Sequence, residues 1–286
     1  MNEPQNTQMN RTWVKPGQMM ARPVALAAVL FALLTAQGCF FSQAEEEGNK
    51  TFDVQPKTRL IVHNANGSIK VESGVPGRIE VHWTKKAKAF SNAKKLLGKI
   101  HVTTTLTGTT LHVNVDQPSG SGTKNYGVSF RIQVPTNTPV DIENHNGTIH
   151  VDSVAAPMSV KTSNGSVYLS GVKGAADAKS SNGTIKIDGQ LTSFAARTSN
   201  GSVTVRLESG SRLDQDSSIR TSNGSIKFYA ASDVAFAVQA DTHNGHVKSD
   251  FPLAHTSRKS ASGTVGQGGK TVRLKTSNGS ITLSKL

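Results

Sequence analysis

The sequence predicts an all-β fold: a parallel β-solenoid, or β-helix, built from Asn-Gly coils of about 18 residues. A less regular N-terminal β section containing one short helix precedes it. Three observations predict this architecture. Asn-Gly recurs at Asn66, Asn146, Asn164, Asn182, Asn200, Asn223, Asn244 and Asn278, at intervals of 18 residues from Asn146 to Asn200. Apolar and polar residues alternate on both sides of each pair, which is the signature of two half-buried strands around a turn. No clear helical segment follows residue 100 to cover the apolar face that a long antiparallel meander would expose, whereas a solenoid covers its own.

Residues 1–38 read as a leader. Lys15 and Arg22 precede an apolar run from Pro23 to Ala36, 14 residues long. A membrane-spanning helix needs roughly 20, while a signal-peptide core takes about 7–15. The run ends in Ala36-Gln37-Gly38-Cys39, and Cys39 is the single cysteine of the chain. This resembles a bacterial lipobox, with Ala36 in place of the more usual leucine, and implies that Cys39 is lipidated and anchors the mature chain in a membrane. Phe40 after it implies, by resemblance to such lipoproteins, sorting to an outer membrane. Residues 39–50, with Glu45, Glu46 and Glu47, read as a short flexible tether.

Residues 51–135 form the N-terminal section, expected to cap the solenoid. Strands are predicted near Thr58–His63, Ile79–Trp83, His101–Thr105, Thr110–Val115 and Val128–Val134. Ala93, Leu96, Leu97 and Ile100 follow helical spacing, with Ser91 as N-cap.

Residues 136–286 form the repeat region. Four residues before each Asn stand Val62, Ile142, Val160, Ala178, Ala196, Ile219, Ala240 and Leu274. Three after it stand Ile69, Ile149, Val167, Ile185, Val203, Ile226, Val247 and Ile281. A degenerate copy, Ala261-Ser-Gly-Thr-Val265, fills the interval between Asn244 and Asn278. The turn glycines are Gly67, Gly147, Gly165, Gly183, Gly201, Gly224, Gly245 and Gly279, and Asn and Gly both tolerate the positive φ of a tight reversal. Aromatics make up only 5% of the chain, so no large aromatic cluster is expected.

The formal charge is +13, which in an exported protein points to an anionic partner: a lipid headgroup or an acidic polysaccharide. Lys161, Lys179, Arg197, Arg220, Lys259 and Lys275 stand three residues before the turn Asn or its Ser262 counterpart. Lys70, Lys186, Lys227 and Lys248 stand four after it. Stacked at about 4.8 Å, they would form two parallel basic ladders, broken at Glu143 and Asp241. Neighbouring charges at that spacing repel by about 0.9 kcal/mol even in bulk water, a cost that a bound polyanion relieves and that splayed lysines would also reduce.

Enzymatic constellations are weak. Glycoside hydrolysis needs two facing carboxylates, and acids do not recur at neighbouring turns; Asp214 and Asp216 come nearest. The pairs His145/His150 and His243/His246 lack companions for a metal site. No cofactor or metal is expected, and with few aromatics to stack bases neither is nucleic acid.

The Asn-Gly-[Ser/Thr]-[Ile/Val] units, Val134-Pro135 before them, and the ending Ala261 to Leu283 resemble a bacterial adhesin-like domain family of unknown function, from about Thr51 to Leu286. The resemblance implies a non-enzymatic, lipid-anchored envelope scaffold. A carbohydrate-active enzyme on a β-helix and an envelope-stress regulator are the alternatives.

Overall fold

The computed structural model describes residues 42–89, 92–118 and 126–286. The leader and Cys39 lie outside these residues, as does Ser91. In chain order the elements are β1 (Ser42–Asp53), β2 (Arg59–Asn66), β3 (Ile69–Ser73), β4 (Arg78–Ala89), α1 (Ala93–Leu97), β5 (His101–Thr107), β6 (Thr110–Asp116) and β7 (Tyr126–Val134). The repeats continue with β8 (Val140–Asn146), β9 (Ile149–Asp152), β10 (Met158–Asn164), β11 (Val167–Asn182), β12 (Ile185–Arg197), β13 (Val203–Leu207), β14 (Ser217–Asn223) and β15 (Ile226–Ala230). The last are β16 (Phe236–Asn244), β17 (Val247–Ser249), β18 (His255–Thr256), β19 (Ser260–Val265), β20 (Thr271–Asn278) and β21 (Ile281–Lys285).

The strands before and after each corner pair in parallel with the same strands of the next coil, so the repeats stack as a solenoid. Val160 faces Ala178, Ala178 faces Ala196, Val167 faces Ile185 and Ile185 faces Val203. The alternation seen in the sequence holds: the residues four before and three after each Asn are buried in one continuous core. Each buried Val, Ile or Leu contributes about 1.5–3 kcal/mol of gross hydrophobic stabilisation.

Three features differ from the sequence reading. The first is the position of the Asn66 coil. β2 and β3 stack directly on β8 and β9, with Asn66 facing Asn146 across 80 residues of chain, so the solenoid begins at β2. The intervening β6 and β7 cover the other edge of that coil. The five strands and the helix expected in this section all form, although the helix starts beside Asn92, at φ 63°, with the Ala93 amide donating to Ser42 Oγ.

Second, residues 42–50 are no tether. They open β1, which runs antiparallel to β4 along its whole length, with Glu46 paired to Lys85 at 2.8 Å and Glu45 to Lys86 at 3.3 Å. Of the three glutamates that suggested solvated linker, Glu45 and Glu47 stand on the exposed face of an alternating strand and Glu46 on its half-buried face, opposite a lysine-rich partner.

Third, the last coil is out of sequence order. β20 pairs with β14 on one side and β16 on the other, and β21 lies between β15 and β17. The Asn278 coil is therefore inserted between the Asn223 and Asn244 coils. The segment read as a degenerate coil is instead the antiparallel hairpin β18–β19, which covers the free edge of β16. Covering that edge removes a template for unwanted strand pairing.

Inside this end of the stack Phe194, Phe228, Phe236 and Phe251 form a chain with ring centroids 6.1, 5.3 and 5.8 Å apart. An aromatic cluster thus exists despite the low aromatic content, because stacking collects side chains that are far apart in sequence.

Candidate functional site: a basic column beside the Asn-Gly corners

Each corner is held to the next by the same contacts. The Asn side chains form an amide ladder: Asn146 Nδ2 donates to Asn66 Oδ1 at 2.7 Å, and Asn164, Asn182, Asn200, Asn223, Asn278 and Asn244 continue it at 2.8–2.9 Å. Two residues before each Asn sits a buried polar side chain that sequence reasoning passed over. Thr162, Ser180, Thr198, Thr221, Thr276 and Thr242 donate their hydroxyls to the corner glycine carbonyl of the neighbouring coil. Asn144 and Asn64 use their amides in the same way, Asn64 on Val128. The signal was a Thr or Ser recurring where parity demanded an inward side chain.

The corner glycines are also there for a reason other than expected. Gly67 and Gly147 have φ of 126° and 135°, but Gly165, Gly183, Gly224 and Gly245 are not in the left-handed region, and no corner Asn has positive φ. What the position excludes is a Cβ. Built on Gly165, Gly183, Gly201 or Gly224, it would overlap the carbonyl oxygen of the preceding corner glycine.

This stacking brings the outward residues three before each Asn into one line. In spatial order it reads His63, Glu143, Lys161, Lys179, Arg197, Arg220, Lys275, Asp241. Glu143 and Asp241 bracket the run rather than break it, because insertion of the Asn278 coil places Lys275 beside Arg220. Lys161 reaches Glu143 at 3.3 Å and Lys179 reaches Asp177 at 2.9 Å. Among the described residues Arg197, Arg220 and Lys275 pair with no carboxylate. One position before each Asn, Ser163, Ser181, Ser199, Ser222 and Ser277 give a hydroxyl column alongside, ended by His145 and His243.

The second expected ladder does not form. Four residues past the Asn the order is Lys70, His150, Tyr168, Lys186, Thr204, Lys227, Thr282, Lys248. Lys186 and Lys227 are separated by Thr204, and Lys186 lies over the Tyr168 ring, which stacks on His150 at 4.8 Å. Lys70 is neutralised by Glu72 at 2.6 Å. Lys259 lies next to the antiparallel hairpin, its carbonyl accepting from the Thr242 amide.

Other candidates resolve into structural roles. Asp216 binds the Thr271 amide and Arg273 at 2.9 and 2.8 Å, tying β20 in place, and these contacts hold its carboxyl below the usual range. His246 contacts Ser280 Oγ at 3.2 Å. One carboxyl pair does meet at neighbouring coils, contrary to expectation: burial first, then the Asp188 charge beside it, pushes the Glu208 carboxyl up. A hollow of about 660 Å³ lies over β1, β4 and β7, lined by Asn49, His82, Ser129 and Arg131. Its Arg131 is held at 2.7 Å by Glu72, a carboxylate it shares with Lys70.

The fold and site define a class: a capped parallel β-solenoid with polar corner ladders and one continuous cationic column. The chain belongs to the Toastrack DUF4097 family, whose model matches residues 56–284. Similar solved structures include a candidate cell-adhesion protein of Clostridium sporogenes, at 11% identity, covering 84% of this chain and 100% of that one, with a TM-score of 0.37. A candidate adhesin of Bacteroides fragilis is 14% identical, covers 84% and 97%, and has a TM-score of 0.41. One from Parabacteroides distasonis is 11% identical, covers 84% and 97%, and scores 0.38. No curated protein matches the chain.

Proposed function

We propose that this protein is a non-enzymatic, adhesin-like scaffold of the bacterial cell envelope that is lipid-anchored through Cys39 and holds anionic polymers along its basic column. The observation that carries the reading is the run Lys161, Lys179, Arg197, Arg220, Lys275 on consecutive layers. Five cations one strand spacing apart disfavour one another, and a polyanion laid across them removes that cost. Only Phe40 and Phe41 separate Cys39 from β1, so an acylated Cys39 would hold the N-terminal cap within about 10 Å of the bilayer surface. The anchor would then be a short mount rather than a leash.

The test is retention on immobilised lipopolysaccharide or acidic polysaccharide across a salt series. Retention should fall steeply with salt and drop further when Lys161, Lys179, Arg197 and Arg220 are replaced by Ser. Equal retention by that variant overturns the column as the site. For the anchor, labelled palmitate should enter the wild-type chain and not Cys39→Ser; label in both removes it.

A further inference from the structure

The column has a fixed repeat, a fixed length and a second column of defined chemistry beside it, and together these specify more than negative charge. Each of five consecutive layers presents one cation, one serine hydroxyl and one asparagine, in the order [Lys/Arg]-[Thr/Ser]-Ser-Asn-Gly. The Asn amides are committed to one another, leaving the cation and the Ser hydroxyl to meet a ligand, with Lys161 and Lys179 exchanging their exposed partners Glu143 and Asp177 for it. The layers advance by about 4.8 Å, so four steps carry the array over about 19 Å. Glu143 and Asp241 then end it with the opposite charge.

We propose that the column is the binding line for a linear polyuronate, a polysaccharide carrying one carboxylate on every sugar ring, laid along the stacking axis with one ring on each layer. This rests on the reading of the column as a polyanion site and names its ligand class. A 1,4-linked pyranose advances by close to one strand spacing, so ring and layer stay in step; successive rings turn about the chain, and the long, exposed Lys and Arg side chains reach carboxylates on either side of it. Ring hydroxyls fall beside the serine column. A nucleic acid would leave its bases without a partner, since the outward positions from five to one before each Asn carry no aromatic ring in these layers. Asp177, which reaches Lys179 at 2.9 Å, competes with the ligand at its own layer.

The experiment titrates the full chain, in neutral detergent, with size-graded oligogalacturonates from the disaccharide upward and reads affinity by calorimetry. Affinity should rise about two- to five-fold per added ring, as exposed ion pairs allow, and level off when five layers are filled. Lys275→Ser should move that break one ring shorter, and Asp177→Ser should raise affinity for every oligomer long enough to reach its layer. A shift in the break point is a readout that partial unfolding does not imitate. Affinity that climbs without a break, or a methyl-esterified series binding as well as the free acid, overturns the proposal. If dextran sulfate is still retained in a salt-sensitive manner under that result, the polyanion scaffold stands and only the polyuronate falls. If neither dextran sulfate nor any oligogalacturonate binds, both fall.

Discussion

Replacing Gly183 with Ala separates two explanations of the repeated glycine. If the corner needed glycine for its backbone conformation, Gly183 should be among the tolerant positions, because its φ is not in the left-handed region. The substitution would then stabilise the protein by about 0.4–1 kcal/mol through the unfolded chain. The stacked structure predicts the opposite sign. An alanine Cβ would overlap the Gly165 carbonyl and come within 3.0 Å of the Ser166 amide nitrogen, both backbone groups with no rotamer to change. To admit it the Gly165 and Gly183 layers must part, which weakens the Gly165 amide bond to the Asn182 carbonyl (3.1 Å) and the Ser180 hydroxyl bond to the Gly165 carbonyl (2.9 Å). Two such bonds at about 1 kcal/mol each and overpacking of about 1–3 kcal/mol give a loss of about 3–5 kcal/mol. Gly77 is the control: φ is 76° and nothing lies within 4 Å of an added Cβ. Gly77→Ala should cost only the left-handed strain, about 1–2 kcal/mol, and Gly77→Asn should recover most of it, whereas Gly183→Asn should not. Urea midpoints give the ranking. Because stacked arrays can open in parts, amide exchange at Gly165 and Val167, which bond to Asn182 and Thr184 across that gap, localises the damage. A neutral or stabilising Gly183→Ala would refute the close-stacking account.

Three further outcomes follow from the ladders. Asn144→Thr should stabilise the protein by about 1 kcal/mol in urea denaturation, since it brings the hydroxyl used by six other coils and removes a buried side-chain oxygen that has no hydrogen-bond partner. Glu72 is held down to about 2 by Arg131 first and Lys70 next; a depressed carboxyl contributes stability above its ordinary value of 4.5 that is lost as pH falls towards 2, so Glu72→Gln should flatten the acid-unfolding profile in that window and leave the alkaline side unchanged. With Cys39→Ser as background, Arg220→Cys with Lys275→Cys should form a disulfide, and Arg220→Cys with Asp241→Cys should not, because those two positions lie two strand steps, about 10 Å, apart; cross-linking of the second pair alone would mean that the coils stack in sequence order.

What the sequence disclosed was whatever repeats locally. Parity around Asn-Gly placed the buried residues, and the choice of solenoid over meander followed from the need to cover them. Even the irregular section yielded its strands, since Ile79–Trp83 and Val128–Val134 alternate on their own account. What it concealed depends on neighbours distant along the chain. Glu45, Glu46 and Glu47 look like linker until β4 supplies Lys85 and Lys86 opposite them. Thr198 and its equivalents look like generic strand residues until the carbonyl they bond is seen to belong to another coil. Lys186 and Lys227 share a position in the repeat, yet that position is not uniformly basic, so they never become neighbours.

The order of the layers belongs to the same class of hidden fact, and it bears on function. Every corner offers the same amide, hydroxyl and carbonyl, so the corners alone do not dictate which coil lies on which. Surface charge would favour sequence order. That order would set Asp241 between Arg220 and Lys275, giving it two cationic neighbours and sparing their mutual repulsion. The observed order leaves Asp241 with Lys275 alone and puts Lys275 beside Arg220, a difference of about a kcal/mol per contact in water. The core contributes more than this. Phe236 packs edge-on between Phe228 and Phe251, β20 is fastened by Asp216, and the β18–β19 hairpin can protect only an outermost strand. Packing therefore carries the fold past an electrostatic preference of its own surface, and the continuous column is the result. That continuity works against stability rather than for it, and a polyanion bound as proposed would offset the cost.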